Sequence, residues 1–432
     1  MPHILDHRDP DFDAAFDRLL GLKRAVEEDV GGVVAEIIED VRARGLDAVL
    51  ELTRRFDRLD LTAETVAFSK AEIDAAIARV PPEEHAALTQ AAARIRAYHE
   101  RQRPEDAAWT DASGAELGWR WTPVDAAGLY VPGGRASYPS SVLMNAIPAA
   151  VAGVGRVVMC APTPDGAVNP LVLLAARLAG VETVYRIGGA QAVAAMAYGA
   201  GPIGRVDTIT GPGNAYVATA KRQVFGQVGI DMIAGPSEVL IIADAGNDPD
   251  WVALDLMAQA EHDESAQSIL ITDDPAFGEA VARAVESRLQ TLSRRAIAGA
   301  SWRDFGAVIT VADMDQAADL ANRIAPEHLE ILTTDAEAMS RRIRHAGAIF
   351  LGAHTPEAIG DYVGGPNHVL PTAGSARFSS GLSVLDFMKR TTIARMTPAA
   401  LKAIGPAAAT LAASESLEAH GLSVTTRLER LN

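Results

Sequence analysis

The stretch AAGLYVPGGRASYPSSVLMNAIPAAVAGVGRVVMCA, residues 126–161, contains the pattern that decides the fold. Within it, Gly128–Val131 and Arg156–Ala161 are short apolar runs of the length typical of buried strands. The longer apolar segment between them, Val142–Val154, is predicted to be a helix. A strand, a helix and a second strand in this order form the repeating unit of a parallel sheet. The stretch therefore predicts an α/β fold.

The same alternation of strands and helices continues along the chain. After residue 161 we predict these elements: strands Thr183–Ile187 and Asp207–Thr210, and helices Pro170–Leu178 and Ala192–Tyr198. A second series follows a break near Gly229: strands Val239–Ala243, Ser268–Thr272, Ala307–Val311 and Ala348–Leu351, and helices Asp248–His262, Ala276–Leu292 and Met314–Ile324. Two such series predict two doubly wound, Rossmann-like α/β units of similar design.

The regions outside these two series differ from them in character. Residues 1–125 are predicted to be an N-terminal helical region that packs with the second α/β unit. The first unit is assigned to residues 126–236, the second to 237–375 and a C-terminal arm to 376–432. The arm has few core-forming strands, so we expect it to pack either on its own body or on a second subunit.

Composition excludes several classes of protein. The formal net charge is −17 over 432 residues, which disfavours nucleic acid and anionic membranes as partners. The N-terminus has no signal-peptide pattern, and the single cysteine, Cys160, cannot form an internal disulfide. We therefore predict a cytoplasmic protein. No base or charge neighbours Cys160 in the sequence, so a buried structural thiol is favoured over a nucleophile.

Two segments have side chains suited to metal binding or proton transfer. Gln259 and His262 are three residues apart at a predicted helix end and can ligate one ion, although such residues are more often plain surface residues. Pro326 is expected in the first turn of a helix, which places Glu327 and His328 at its positive end as an acid/base pair. The alternative is a glutamate that only stabilises the helix dipole, beside an incidental histidine.

Two further segments carry candidate ligands. Asp361 precedes a glycine-rich turn and is either a metal ligand or a turn-capping residue, with His368 as a competing candidate. In the C-terminal arm, Glu415 and His420 are placed on nearby faces of one helix. A histidine near the end of a helix is often only a partner of the helix dipole.

Three glycine-containing turns follow predicted strands: Pro132–Gly134, Gly188–Gln191 and Gly211–Asn214. Each leaves the carboxyl end of a parallel strand, where sheets of this kind bind ligands, and its amides could hold a phosphate. None has the full spacing of a dinucleotide fingerprint. The turns therefore favour a nucleotide or an anionic substrate only modestly.

Taken in order, these segments resemble the histidinol dehydrogenase family from about Asp11 to Arg427. The segments that carry the resemblance are IDMIAGPSEVL (230–240), LMAQAEH (256–262), GLYVPGG (128–134), IAPEHLE (324–330), NHVLPT (367–372) and FSSGLS (378–383). The resemblance implies NAD and one Zn²⁺ per subunit as cofactors. It also implies a homodimer in which the C-terminal arm is exchanged, so that each active site is shared.

The resemblance also implies roles for particular residues. Zinc would be held by Gln259, His262, Asp361 and His420. Glu327 and His328 would be the catalytic pair that handles protons. The substrate L-histidinol would contact Ser237, Gln259, His262, His328, Asp361, Glu415 and His420. The NAD site would be lined by Tyr130, Gln191 and Asn214. Because the arm crosses over, Glu415 and His420 would serve the neighbouring subunit.

The implied reaction is the oxidation of L-histidinol through its aldehyde to L-histidine with two NAD, the last steps of histidine biosynthesis. His328 would take the hydroxyl proton, and Glu327 would activate the water that hydrates the aldehyde. One alternative is a related zinc- and NAD-dependent dehydrogenase that acts on another small alcohol. A second is a zinc hydrolase, which the lack of a compact His-x-x-x-His pair and the nucleotide-type turns disfavour.

Overall fold

The computed structural model describes residues 2–22, 30–133, 138–233 and 235–431. Gly134 of the turn at 132–134 and Ala234 of the segment 230–240 lie outside the described residues. The described chain contains two parallel sheets, of five and six strands, and one three-stranded antiparallel sheet. The predicted α/β fold with parallel sheets is therefore confirmed. No helix in these described ranges is both long and apolar enough to cross a membrane.

The N-terminal region starts with a strand, continues with helices and ends in a hairpin. Its elements are β1 (His3–Asp6), α1 (Phe12–Gly21), α2 (Gly31–Arg44), α3 (Leu46–Asp57), α4 (Lys70–Ile77), α5 (Pro82–Glu100), β2 (Ala107–Thr110) and β3 (Glu116–Pro123). Helix α4 has a complete capping box, in which Ser69 and Glu72 satisfy each other's backbone amides. Strands β2 and β3 pair antiparallel.

The first α/β unit is a parallel sheet with helices packed on both faces. Its elements are β4 (Ala126–Tyr130), α6 (Pro139–Ala152), β5 (Arg156–Cys160), α7 (Pro170–Ala179), β6 (Thr183–Tyr185), α8 (Gly189–Tyr198), β7 (Thr208–Thr210), α9 (Ala215–Val224) and β8 (Gly229–Ile230). The strand order is β6-β5-β4-β7-β8. Successive residues of β4 point to opposite faces, so Tyr130 packs in one core and Leu129 in the other.

The second unit repeats this design with a larger sheet. Its elements are β9 (Glu238–Ala243), α10 (Pro249–Ala260), β10 (Gln267–Thr272), α11 (Pro275–Leu289), α12 (Arg295–Asp304), β11 (Ala307–Thr310), α13 (Met314–Ile324), β12 (His328–Leu332), α14 (Ala336–Ser340), β13 (Ala348–Leu351) and α15 (Glu357–Tyr362). The strand order is β1-β11-β10-β9-β12-β13, and all neighbouring pairs are parallel. The N-terminal strand thus completes the edge of this sheet.

The C-terminal arm consists of one strand and two helices. These are β14 (Met388–Arg395), α16 (Pro398–Ser414) and α17 (Glu418–Glu429). Strand β14 pairs antiparallel with β3, and the two helices pack against each other as a hairpin. The hairpin leaves several large apolar side chains exposed: Ile404, Leu411, Leu417 and Leu422.

Two predictions about the chain ends are wrong in part. Among the described residues, β1 and α1 join the sheet and core of the second unit, whereas α2 to α5 pack against the first sheet through residues such as Val34 and Ile95. Helix α5 also bonds to residues 363–367 of the second unit through Arg94 and His99. Helical periodicity shows which face of a helix is apolar but not which sheet covers it. Glu415 and His420 do not share a helix, because Ser416 has a positive φ of 61° and separates α16 from α17.

The predicted helix at Pro326 is also wrong. Helix α13 ends at Ile324, and its capping residue Ala325 has a left-handed φ of 50°. Pro326 follows this turn, and His328 begins strand β12. The segment His328–Leu332 is entirely buried, so sheet packing outweighs the helix-start signal of the proline. Glu327 and His328 are therefore held at the amino end of an interior strand and not at a helix terminus.

Candidate active site

A cleft of about 490 Å³ is lined by residues of both α/β units. The first unit contributes the turn Gly211–Asn214, which follows the carboxyl end of β7. The second unit contributes Ser237 and Glu327, which precede the amino ends of β9 and β12, and His328, the first residue of β12. The cleft therefore lies between the carboxyl ends of strands in the first sheet and the amino ends of strands in the second sheet.

At the carboxyl ends of the second sheet's strands, side chains that follow β9 are hydrogen-bonded to residues at the end of β12 and just after it. Asp244 Oδ2 accepts hydrogen bonds from Thr334 N at 2.7 Å and from Thr334 Oγ1 at 2.9 Å. Asn247 Nδ2 donates to the carbonyl of Leu332 at 2.5 Å. These bonds join the ends of β9 and β12, the point where a sheet of this strand order usually binds a ligand.

The backbone of Glu238 orients both candidate catalytic side chains. Its N–H donates to Glu327 Oε2 at 2.9 Å, and its carbonyl lies 3.0 Å from His328 Nδ1. Since a carbonyl only accepts, Nδ1 carries the ring hydrogen and Nε2 presents its lone pair. The side chain of Glu238 accepts a hydrogen bond from Ala373 N at 2.7 Å, which fixes this residue in turn.

His328 has the properties of a neutral base. Burial lowers its pKa to about 4, although the carboxylate of Asp361 and the carbonyl of Glu238 act in the opposite direction. The imidazole is therefore uncharged at neutral pH. Its Nε2 atom is buried and has no hydrogen-bond partner among the described residues. An unpartnered lone pair in a cleft can accept a proton from a bound hydroxyl group.

Metal-type donors converge beside this base. Asp361 Oδ1 lies 3.5 Å from His368 Nδ1, and Asp361 Oδ2 lies 3.9 Å from His262 Nε2. Burial opposes ionisation of Asp361, but His368 and the other nearby imidazoles outweigh it, and its pKa lies below the usual value. Ligand atoms of His328, Glu357 and Asp361 also lie within 4.8 Å of one another. A divalent cation would fit this set of nitrogen and oxygen donors.

The side chain of Gln259 supplies a further observation that fits metal binding. Its side chain is fully buried near the end of α10, and neither its amide oxygen nor its amide nitrogen has a partner within the described residues. A buried amide without hydrogen bonds costs about 1–3 kcal/mol. Metal coordination through the amide oxygen would offset this cost.

The structure separates the other predicted ligands from this group. Glu415 and His420 lie exposed on the C-terminal hairpin and are not among the described residues that line the cleft. Of the four predicted zinc ligands, only His262 and Asp361 are seen at close range, with Gln259 three residues before His262. A single subunit therefore holds an incomplete version of the predicted set.

Sequence reasoning missed the buried acids behind His328. Glu330 Oε1 accepts a hydrogen bond from Glu357 N at 2.6 Å, and burial raises the pKa of both carboxyls well above the usual value. Burial also raises the pKa of the neighbouring Asp255 to about 6. Spacing could have indicated two of these residues. Glu357 is four residues before Asp361 on one helix, and Glu330 is two residues after His328 on one strand.

The predicted NAD residues lie at the carboxyl ends of the strands of the first sheet. Tyr130 ends β4, and its hydroxyl oxygen accepts a hydrogen bond from Gly189 N at 3.1 Å. Gln191 is buried in the first turn of α8. Asn214 caps α9 by accepting from Val217 N at 3.2 Å, and of these three it alone is among the described residues that line the cleft. The strand order reverses between β4 and β7, which is where such sheets bind nucleotides.

Cys160 lies in β5 and is fully buried, as expected for a structural thiol. Burial raises its pKa far above the ordinary range, so no thiolate forms at neutral pH. We predict that Cys160→Ala keeps the turnover per folded site within about twofold of the parent enzyme. The folded protein should also resist thiol reagents until it is denatured. A loss of turnover by orders of magnitude in a folded variant would contradict this.

Together the fold and the site define an α/β enzyme in which one cleft contains a neutral histidine and several nitrogen and oxygen donors. The sequence model of the histidinol dehydrogenase family matches residues 22–428. The chain is 73% identical to the histidinol dehydrogenase of Ruegeria pomeroyi and 72% identical to that of Cereibacter sphaeroides, with full coverage of both chains in each comparison. The crystal structure of histidinol dehydrogenase from Elizabethkingia anophelis is 36% identical, with a TM-score of 0.95 over 100% of this chain and 99% of that one. This chain belongs to the histidinol dehydrogenase family.

Proposed function

We propose that this chain oxidises L-histidinol to L-histidine through a bound aldehyde, with two NAD and one Zn²⁺ per subunit. Family membership identifies it as an oxidoreductase of histidine biosynthesis that acts on histidinol. The observation that carries the detailed proposal is the neutral imidazole of His328, whose unpartnered Nε2 lies in a cleft shared with His262 and Asp361.

Gln259, His262 and Asp361 of one subunit would hold the zinc ion, with the partner subunit's His420 as the fourth ligand. The unpartnered amide of Gln259 and the short approach of His262 to Asp361 support this set. When bound, zinc would hold the imidazole and amine of histidinol and so serve chiefly as a template that fixes the alcohol carbon beside the nicotinamide, with Lewis acidity secondary.

The proposed assembly is a homodimer with two doubly wound units per subunit and an exchanged C-terminal arm. The exposed apolar side chains of the hairpin, such as Leu411 and Leu422, support a partner for this surface. A second cleft of about 880 Å³ meets the first at His328, His368 and Leu370. An arm from the other subunit would bring that subunit's Glu415 and His420 toward the amine and the metal.

In the first oxidation, His328 Nε2 accepts the proton of the substrate hydroxyl. Tyr130, Gln191 and Asn214 would hold NAD, which would supply the hydride acceptor. Glu327 then removes a proton from the water that adds to the aldehyde, while protonated His328 returns its proton to the aldehyde oxygen. The imidazole, neutral again, accepts a hydroxyl proton of the hydrate in the second oxidation, whose hydride would pass to a second NAD. The backbone of Glu238 keeps both side chains in place through these steps. Ser237 would contact the substrate from the same cleft.

The direct test is to supply L-histidinol and NAD and to count NADH formed per histidine. We expect two. A yield of one would contradict the two-step reaction, and no NADH at all would refute the proposed substrate. Parallel assays with simple diols and a sulfonated alcohol separate this function from that of a related dehydrogenase with a different alcohol substrate.

Removal of the metal should affect histidinol oxidation and NAD binding differently. A chelator is expected to lower histidinol oxidation at least about 100-fold, because the metal orients and polarises the alcohol. NAD binding, measured by titration calorimetry, should remain within about threefold, since the proposed NAD residues lie on the other unit. Zn²⁺ should restore activity in proportion to the metal content. Full activity in protein shown to be metal-free would contradict the proposal.

A further inference from the structure

A buried ion pair lies on the side of the cleft that the first α/β unit forms. The proposed reaction does not use it. Lys221 of α9 pairs with Asp231, which follows β8, and their side chains are only 3% and 1% exposed. Both residues line the cleft together with the turn Gly211–Asn214.

The pair is bonded to one glycine from both sides. Asp231 Oδ2 accepts a hydrogen bond from Gly211 N at 2.8 Å, while Lys221 Nζ donates to the carbonyl of Gly211 at 2.9 Å. Both backbone groups of this residue are therefore satisfied by the two charged side chains. The two side chains thus fix the position of the turn in addition to neutralising each other's charge.

No other residue fits at position 211 without displacing its surroundings. Its φ is +121°, and a Cβ atom added there would lie 2.0 Å from the carbonyl oxygen of Tyr130. The turn therefore passes directly over the end of β4, where the strand order of the first sheet reverses. Asn214 ends the same turn and caps α9. Fixing Gly211 fixes the path that leads to this cap.

A buried ion pair is a weak source of stability, since the cost of removing two charges from water offsets most of their attraction. A buried pair that also holds a turn beside a ligand site has a second role, which is to fix the position of that turn. We propose that Lys221 and Asp231 are positioning residues that preorganise the Gly211–Asn214 turn to receive NAD. The inference rests on the proposed use of NAD, and neither residue needs to touch the dinucleotide.

The test uses the double variant Lys221→Met/Asp231→Asn in the full-length zinc-loaded enzyme. Removing both charges avoids an unpaired buried ion, and the amide oxygen introduced by Asp231→Asn still offers Gly211 N an acceptor, so the fold is expected to survive. The Kd for NAD should rise at least about tenfold, because part of the free energy of binding is then used to order the turn. Amide exchange in residues 208–217 should be faster without ligand. The zinc content and the Kd for L-histidinol should not change.

The matched control is Arg177→Met/Asp74→Asn, which removes an exposed ion pair between α7 and α4 with an N–O distance of 2.6 Å. Neither residue is among the described residues that line the cleft. It should leave NAD affinity and exchange in residues 208–217 unaltered. A folded Lys221/Asp231 variant with parental NAD affinity and parental exchange would overturn the inference while the proposed function stood. If the parent enzyme itself bound no NAD, the proposed function would fail first.

Discussion

Gln259→Ala and His420→Ala are each expected to abolish histidinol oxidation, yet a mixture of the two, unfolded and refolded together, should recover activity. The reason is the exchanged arm. A hybrid dimer has one site in which Gln259 comes from one chain and an intact His420 comes from the partner subunit. Random pairing in a two-fold dimer makes half the dimers hybrid, so about a quarter of the sites are restored. The recovered rate per total subunit measures this fraction.

The matched control is a mixture of Gln259→Ala with Asp361→Ala. Both residues belong to the second unit of one chain, so every site in every hybrid lacks one ligand and no activity should return. Hybrid formation is checked in both mixtures with subunits of different mass. Confirmed hybrids of the first mixture without activity would show that His420 acts within its own chain.

Glu327→Gln and His328→Asn should divide the reaction between them. The first variant is expected to slow aldehyde oxidation by about 10²–10⁴-fold and alcohol oxidation much less, because water activation belongs to the second step. The amide oxygen that this substitution introduces can still accept the bond from Glu238 N, so the side chain should keep its place. His328→Asn should slow both steps, because Nε2 receives a proton in each. Single-turnover assays with L-histidinol and with the aldehyde measure the two steps.

His354→Asn is the control for these variants, because His354 is an exposed histidine whose ring lies at a tilted angle beside Trp251 of α10. It should behave like the parent enzyme. Equal losses on alcohol and aldehyde in Glu327→Gln would refute the division of roles. Retained alcohol oxidation in His328→Asn would remove the histidine from the proton transfer.

The sequence was sufficient for the elements with strong periodicity. Helix α13 and strand β13 have the predicted bounds, and most other predicted strands differ by one or two residues. Strand β1 is only four residues long and half-exposed, so no pattern distinguished it from a loop. Its pairing with β11 depends on contacts across some 300 residues, which local sequence does not report.

The site was predicted less completely than the fold. The residues at 259, 262, 327, 328 and 361 were chosen as candidates because their side-chain types suggest metal binding or proton transfer, and their roles stay predictions. The role of Glu238 could not be found in this way, since it acts through its backbone N–H and carbonyl. Strand register creates that contact, as His328 pairs with Val239 across the sheet. The start of β12 was missed because Pro326 resembled a helix-start signal.

The most direct measurement is a crystal structure of the dimer with zinc and L-histidinol bound. The account predicts one ion within about 2.0–2.2 Å of Gln259, His262, Asp361 and the partner subunit's His420, with the alcohol oxygen of the substrate near His328 Nε2. An ion held instead by His328, Glu357 and Asp361, with His420 far away, would contradict it, because His328 could then no longer serve as the base.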